Sequence, residues 1–265
     1  MSKEVVIHVI DTMRYNYKTI PPKNALIKNL SGHSHNAYEF IYFLGGDATY
    51  VVENKRYKLR PGDLIITRPS TYHFIQVDTN VAYERHNVLF DHKRLGVNMH
   101  MLPEGIDVLN IADGAIISEI FEKMIFYAKK FRAEEFVDIA KLLIQEIVYN
   151  LSLTEEESKN NFSVINPILS RALEYISRNL FTIKDMSEVA QAVFVSDSYL
   201  YRLFGRELFN TPKKYITEKR LLCAQKMLRK GKNPYKVAEE CGFEDYTTFY
   251  RNYIKLFGKN PSKEA

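Results

Sequence analysis

Cysteine is almost absent from this chain: there are two in 265 residues, Cys223 and Cys241. Both fall in helical stretches of the same half, so they supply neither a disulfide framework nor the paired spacing of a zinc site, and they suit a reducing compartment. Long apolar runs are lacking too. The stretch nearest the N-terminus, Val5–Ile10, is too short for the apolar region of a secretory signal. Nothing approaches the roughly 20 apolar residues of a membrane-spanning helix. A soluble, cytoplasmic protein with no membrane partner is expected. With 46% hydrophobic and 26% charged residues, the composition is that of a folded globular chain rather than a disordered one.

The charge that is present is unevenly placed. Residues 165–265 hold 18 of the 37 Lys/Arg and 11 of the 32 Asp/Glu, a net of +7, which leaves residues 1–164 at −2. The length accommodates two domains of ordinary size. The basic excess sits on the second, as neutralising phosphates would require.

That second half is organised around Val237–Phe257, VAEECGFEDYTTFYRNYIKLF. An amphipathic run containing Val237, Ala238 and Cys241 meets a turn at Gly242. A further run then places Phe249, Tyr253 and Phe257 on one face. Helix, short Gly-containing turn, helix is the form of a helix-turn-helix, whose second helix enters a DNA major groove. The pattern occurs twice. Forty-eight residues earlier, Val189 and Ala190 stand where Val237 and Ala238 do, and Val195 matches Phe243. Leu200, Tyr201, Arg202 and Phe204 match Phe249, Tyr250, Arg251 and Tyr253, so exposed positions recur along with core ones. The first copy departs at one point: Phe194 occupies the turn position of Gly242, and a bulky residue there is strained if φ must be positive. Pro212 opens a long helix through Leu221, Ala224 and Leu228, closed by Gly231, that ties the two copies together.

Residues from about 165 to 265 resemble the DNA-binding domain of the AraC/XylS family of transcription regulators. The resemblance lies in Arg220-Leu221, Ala224, Gly242-Phe243, Phe249, Arg251, Phe257-Gly258 and Pro261. Carried over residue by residue, it implies double-stranded operator DNA as partner. Ser198, Tyr201 and Arg202 then face bases from the first reading helix, and Tyr246, Thr247 and Arg251 from the second. Ser196, as an N-cap, and Tyr250 join them at the DNA surface. Arg202 and Arg251 are the candidates for reading guanine.

From His33 to about Asp91 the pattern is all-β. Short runs at Phe40–Leu44, Thr49–Glu53, Arg56–Leu59, Asp63–Thr67, His73–Val77 and Glu84–Phe90 are punctuated by Gly45-Gly46, Asn54-Lys55, Pro61-Gly62 and Pro69-Ser70. Two more runs precede them, Val5–Ile10 and Ala25–Leu30. Gly32–Phe74 resembles a cupin, and the version of it that many AraC-type regulators carry, through His33-x-His35, Glu39, Gly45-Gly46, Pro61-Gly62-Asp63 and His73. Alternation along a strand puts His33 and His35 on one side. The set of His33, His35, Glu39 and His73 is open to three readings: a divalent metal site, the lining of an effector pocket, or structural histidines. The pocket is adopted, with Arg68 and His86 pointing into the same barrel mouth, and no metal, cofactor or catalytic residue is assigned.

Helical periodicity takes over from Ile116 to Leu151, with a break near Lys129–Ala133. The resemblance implies that these helices make a homodimer contact. The polar stretch Thr154–Asn161 reads as a linker. The expected chain is α+β: a cupin-like double-stranded β-barrel with flanking helices, then an all-α domain with two helix-turn-helix motifs. Its divisions are an effector domain at 1–115, a dimerisation segment at 116–153, a linker at 154–164 and the DNA-binding domain at 165–265. The expected function is a transcription regulator controlled by a small molecule, a sugar being one candidate. The alternatives are a metal-dependent cupin enzyme fused to a DNA-binding domain, and an architectural DNA binder that answers to no ligand.

Overall fold

The computed structural model describes residues 5–20, 32–111, 115–153 and 162–264. The expected strand Ala25–Leu30 and the linker residues 154–161 lie outside them. Strand β1 (Val5–Ile10) folds back on β2 (Met13–Ile20). The barrel strands follow: β3 (Tyr38–Gly45), β4 (Ala48–Val52), β5 (Lys55–Lys58), β6 (Asp63–Thr67), β7 (His73–Val77) and β8 (Tyr83–Phe90). After a short helix α1 (His92–Leu95) comes β9 (Val108–Asn110). One sheet has the order β1-β2-β8-β3-β6-β9; the other runs β10 (Ser163–Val164), β5, β4, β7, and every pairing is antiparallel.

Alternation along β3 sorts its side chains between two cores. Ile41 and Phe43 join Tyr50, Tyr57, Ile65, Ile75 and Tyr83 inside the barrel. Phe40 and Tyr42 face outward and pack with α2 (Ile116–Ala128) and α3 (Ala133–Leu153) through Phe121, Met124, Ile144 and Ile147. With both faces buried, the strand reads as an apolar run with little alternation. The sheet takes up the inner stripes of both helices. Leu142, Tyr149 and Leu153 remain exposed on α3.

The segment expected to end the linker forms β10 (Ser163–Val164), which pairs with Lys55 and Arg56 of β5 and so belongs to the barrel's second sheet. Beyond it come α4 (Pro167–Arg178), α5 (Met186–Ala192), α6 (Asp197–Leu208), α7 (Pro212–Leu228), α8 (Pro234–Glu240) and α9 (Tyr246–Phe257). Each start has its own cap: Asn166, Asp185, Ser196, Thr211, Asn233 and Asp245 accept backbone N–H groups of the first turn. Pro at the first or second position of α4, α7 and α8 gives up no bonded N–H.

The helical half docks on the barrel. Val51, Tyr72 and Phe74 share a core with Leu169, Leu200, Leu208 and Tyr215. A polar seam runs along α7. Asn36 Nδ2 donates to Leu222 O and to Gln225 Oε1, both at 2.9 Å. Tyr215 donates to Glu53 Oε2 at 2.9 Å, and Lys219 pairs with the same carboxylate. Tyr72 donates to Leu208 O at 2.9 Å, and Arg56 reaches Glu207 Oε2 at 2.9 Å.

Candidate nucleic-acid interface and effector site

The two helix-turn-helix copies are built alike down to their turns. Phe194 has φ +60° and Gly242 φ +77°. Phe194 N donates to Gln191 O at 3.1 Å and Val195 N to Ala190 O at 3.0 Å. Gly242 N donates to Glu239 O at 2.9 Å and Phe243 N to Ala238 O at 3.0 Å. These paired bonds satisfy the last carbonyls of α5 and α8 around a left-handed residue. Why Phe is tolerated in one copy follows from the surroundings. Its side chain is 89% exposed, whereas a Cβ on Gly242 would run into the carbonyl of Phe181. The expected strain is therefore present at Phe194, and no neighbour adds to it.

In α6, Leu200, Leu203, Phe204 and Leu208 are buried, and Ser198, Tyr201 and Arg202 are exposed on the other side. Ser196 is occupied as the N-cap, accepting Tyr199 N at 3.3 Å. The Arg202 guanidinium lies 5.5 Å from the Tyr199 ring centre. In α9, Phe249 and Tyr253 are buried while Thr247 and Arg251 are exposed. Tyr246 is half-buried, stacked on Tyr235 at 3.9 Å between ring centres. Tyr250 is half-buried as well, its hydroxyl accepting from Asn260 Nδ2 at 3.3 Å. The Asp245 carboxyl that caps α9 is held below its usual range by the Thr248 backbone N–H first, with the Thr248 hydroxyl and the field of Arg251 adding.

Arg220 fixes one copy against the other. From the middle of α7 its guanidinium donates to Leu180 O at 2.8 Å, Ile183 O at 2.6 Å and Gly242 O at 2.7 Å. The first two carbonyls precede α5 and the third lies in the turn before α9. Burial lowers the pKa of this guanidinium from its ordinary value.

At the barrel's other functional end, His33 and His73 exchange backbone hydrogen bonds of 3.1 and 3.0 Å, which brings their stretches side by side. One ring nitrogen from each of His33, His35 and His73 lies within 4.8 Å of the others. Glu39 completes the group. Its Oε2 is 2.9 Å from His73 Nε2 and 3.5 Å from His35 Nε2, and its Oε1 accepts from Asn87 Nδ2. Burial pushes the Glu39 carboxyl up, but the hydrogen bonds from His35 and His73 outweigh it and hold the group well below the usual carboxylate range.

Two residues expected beside them are elsewhere. His86 lies on the opposite face of β8, packed among Tyr15, Tyr17, Tyr42 and Phe121, with Nδ1 2.9 Å from the Tyr15 hydroxyl. A one-residue step along a strand reverses the side, so it is Asn87 that meets Glu39. Arg68 is committed to the loop before β9, donating to Ile106 O at 2.8 Å and to Pro103 O. Reading the alternation of β8 outward from Tyr83 would have found Asn87. Nothing in the sequence pointed to Arg220's three carbonyls.

A helical half of net positive charge with two copies of a capped helix-turn-helix, joined to a barrel that carries a buried polar cluster, defines a ligand-linked DNA-binding protein. Comparison with known proteins makes this specific. The family model described as AraC-like ligand binding domain matches residues 29–133, and a helix-turn-helix domain model matches residues 189–264. The chain belongs to the AraC/XylS family of transcription regulators, with an N-terminal AraC-like ligand-binding domain. It is 22% identical over 223 residues to the lactose operon transcription activator of Staphylococcus xylosus, covering 80% of this chain and 77% of that protein. It is 30% identical over 109 residues to the XylDLEGF operon transcriptional activator 1 of Pseudomonas putida, covering 40% of this chain and 33% of that one. The match to the probable transcriptional regulator LumQ of Photobacterium leiognathi is 29% over 90 residues, 34% of this chain and 36% of LumQ. Among solved structures, ToxT from Vibrio cholerae aligns over 97% of both chains at 10% identity with a TM-score of 0.40. No helix among the described residues is long and apolar enough to cross a membrane.

Proposed function

We propose that the chain recognises particular duplex DNA sequences through α6 and α9 and that a small polar effector bound by the N-terminal domain sets its affinity. The observation that carries the first part is the equal register of Arg202 and Arg251, both exposed on helices that follow turns with the same hydrogen bonds. Each guanidinium would contribute roughly 1–3 kcal/mol of discrimination by bidentate donation to a guanine. Ser198, Tyr201, Tyr246 and Thr247 stand beside them. Ser196 marks the positive end of α6 near phosphate, and Tyr250 offers a hydroxyl at the same surface.

The effector reading is supported by buried polar groups inside the barrel. The Tyr83 hydroxyl and Arg85 Nε are buried without a hydrogen-bond partner, on the side of β8 that carries Asn87. With Glu39, His33, His35 and His73 they form a polar lane suited to hydroxyls or a carboxylate. A sugar belongs in the ligand screen because the Staphylococcus relative is, by name, an activator of a lactose operon. Leu142, Tyr149 and Leu153, seven and four residues apart on α3, offer an apolar face for a second copy of the chain. No catalytic step is assigned. The proposed division remains 1–115, 116–153, 154–164 and 165–265.

Selection from a random duplex library tests the first part. The expected result is one enriched motif; an unenriched pool bound with a steep salt slope would overturn it in favour of non-specific binding. A thermal-shift screen of sugars and small acids tests the second, since a ligand bound only by the folded chain raises its melting temperature.

A further inference from the structure

We propose that Glu264 is a positioning residue for DNA reading: through it the barrel sets the placement of α9, and so of Arg251, by a route separate from its contacts with α6. This goes beyond the proposed function and rests on its reading of α6 and α9 as the helices that touch DNA.

Local chemistry turns the chain back along α9 to bring this residue in. Gly258, left-handed at φ +69°, ends the helix with its N–H on Ile254 O at 2.8 Å. Asn260 then caps a single 3-10 turn, Pro261–Lys263. Glu264 follows against α7, its side chain 0% exposed. A carboxylate so buried is retained only where donors surround it. Gln225 Nε2 donates to Oε1 at 2.8 Å, while Lys259 Nζ lies 3.0 Å and Arg229 Nε 3.4 Å from Oε2. Burial pushes the Glu264 carboxyl up, but the hydrogen bond from Gln225 and those that join it outweigh burial and hold the group below its usual range. The Tyr253 hydroxyl of α9 is buried beside it, its pKa raised by burial first and by that carboxylate next. Tyr253 lies two residues from Arg251 on the opposite, buried face, so its seat fixes the rotation of the reading helix.

Two lines run from the barrel to this one carboxylate. In the first, Ser70 Oγ donates to Asn36 Oδ1 at 2.6 Å, Asn36 Nδ2 to Gln225 Oε1 at 2.9 Å, and Gln225 Nε2 to Glu264. With oxygen and nitrogen both engaged, the buried Gln225 amide has one orientation, and a displacement of Asn36 is passed along the chain of bonds. In the second, Arg229 spans two acids, Nη1 lying 3.1 Å from Asp91 Oδ2 and Nε reaching Glu264 Oε2. Asp91 closes β8 and caps α1 through the N–H groups of Lys93 and Arg94. The barrel meets α6 elsewhere, at its last turn, through Arg56 on Glu207 and Tyr72 on Leu208 O. Moving Asn36 or Asp91 therefore biases α9 relative to α6, which is the condition for coupling.

The test uses the full chain and the duplex motif selected from the random library, with base preference measured position by position. Arg202→Ala and Arg251→Ala first mark the block of base pairs that each helix reads, with both lines intact. Asn36→Ala and Asp91→Asn are half-buried changes on the barrel side, and Asn still caps α1. Each should shift duplex affinity by at least about fivefold, through bases of the Arg251 block alone. Their effects should not add, because both lines end on Glu264. In Glu264→Ala, shown to be folded by circular dichroism, neither should have any further effect. The Asn36 and Asp91 variants decide the matter even where Glu264→Ala fails to fold. Equal weakening of both blocks would mean a structural role only, an unshifted Arg251 block would mean that the lines transmit nothing, and additive effects would mean that they do not meet at Glu264; each overturns the proposal. Failure of the two arginine variants to define any blocks would instead bring down the DNA-reading proposal, and this inference with it, so the two failures are told apart.

Discussion

Replacing Arg220 with methionine removes a guanidinium while keeping most of its apolar stem against α7. Three carbonyls then lose their donor: Leu180 O, Ile183 O and Gly242 O, at 2.6–2.8 Å. A hydrogen bond to a charged group is worth about 1.5–3 kcal/mol, and a buried carbonyl left bare adds its own desolvation cost. Partial burial and entry of water at the surface reduce the sum. A loss of about 3–5 kcal/mol is therefore expected, at the upper end of single substitutions. Arg220→Lys should recover only part, because an ammonium is a point charge that cannot span three acceptors in a plane. Urea unfolding of the full chain, followed by circular dichroism, reads the stability. A selected duplex reads the consequence, since both reading helices are positioned through this residue. A methionine variant within about 1 kcal/mol of the parent, with duplex affinity intact, would refute the idea that Arg220 sets the relative placement of the two motifs.

Gly242→Ala should cost more than about 2 kcal/mol, as it combines a left-handed backbone with a collision at Phe181 O. Phe194→Gly should change stability by less than about 1 kcal/mol, relief of the backbone being offset by glycine's freedom when unfolded. Equal effects of the two in urea unfolding would dissolve the distinction drawn between the turns. His86 predicts a pH dependence: burial lowers its pKa from the usual 6.5 to about 4, so it is neutral in the fold at pH 6 while the unfolded chain takes up the proton. Stability should fall as pH drops from about 6.5 to 4 and level off below, by about 3 kcal/mol in all. His86→Asn should remove that part of the slope, and parallel curves for parent and variant would contradict it.

Much of this was legible in the sequence because periodicity speaks directly of burial. The runs Asp63–Thr67 and His73–Val77 are strands as expected, and the break at Lys129–Ala133 separates α2 from α3. The repeat was legible for a stronger reason. Ala190 and Ala238 sit at one place in one turn, so two stretches of sequence report the same geometry. His86 was misplaced because alternation gives the two sides of a strand but not which of them faces the barrel. Arg68 was misplaced because its acceptors are carbonyls of a loop remote in sequence. The seam between the halves left no trace at all. Asn36, Glu53 and Ser70 are polar loop residues, and such residues look the same whether they face water or α7.

Sequence-specific binding rests on two outward arginines, Arg202 and Arg251, that read one duplex. Its most direct test is position-by-position base preference, measured by binding to a library of variants of the selected motif, for the parent, Arg202→Ala and Arg251→Ala. Each substitution should relax preference in one block of base pairs and leave the other block unchanged, the blocks lying about one helical turn apart. The loss should be greater for Arg251→Ala, because Phe194 strains the turn that aims Arg202. Uniform weakening across all positions in both variants would mean that the two guanidiniums touch only phosphate, and the central claim would fail.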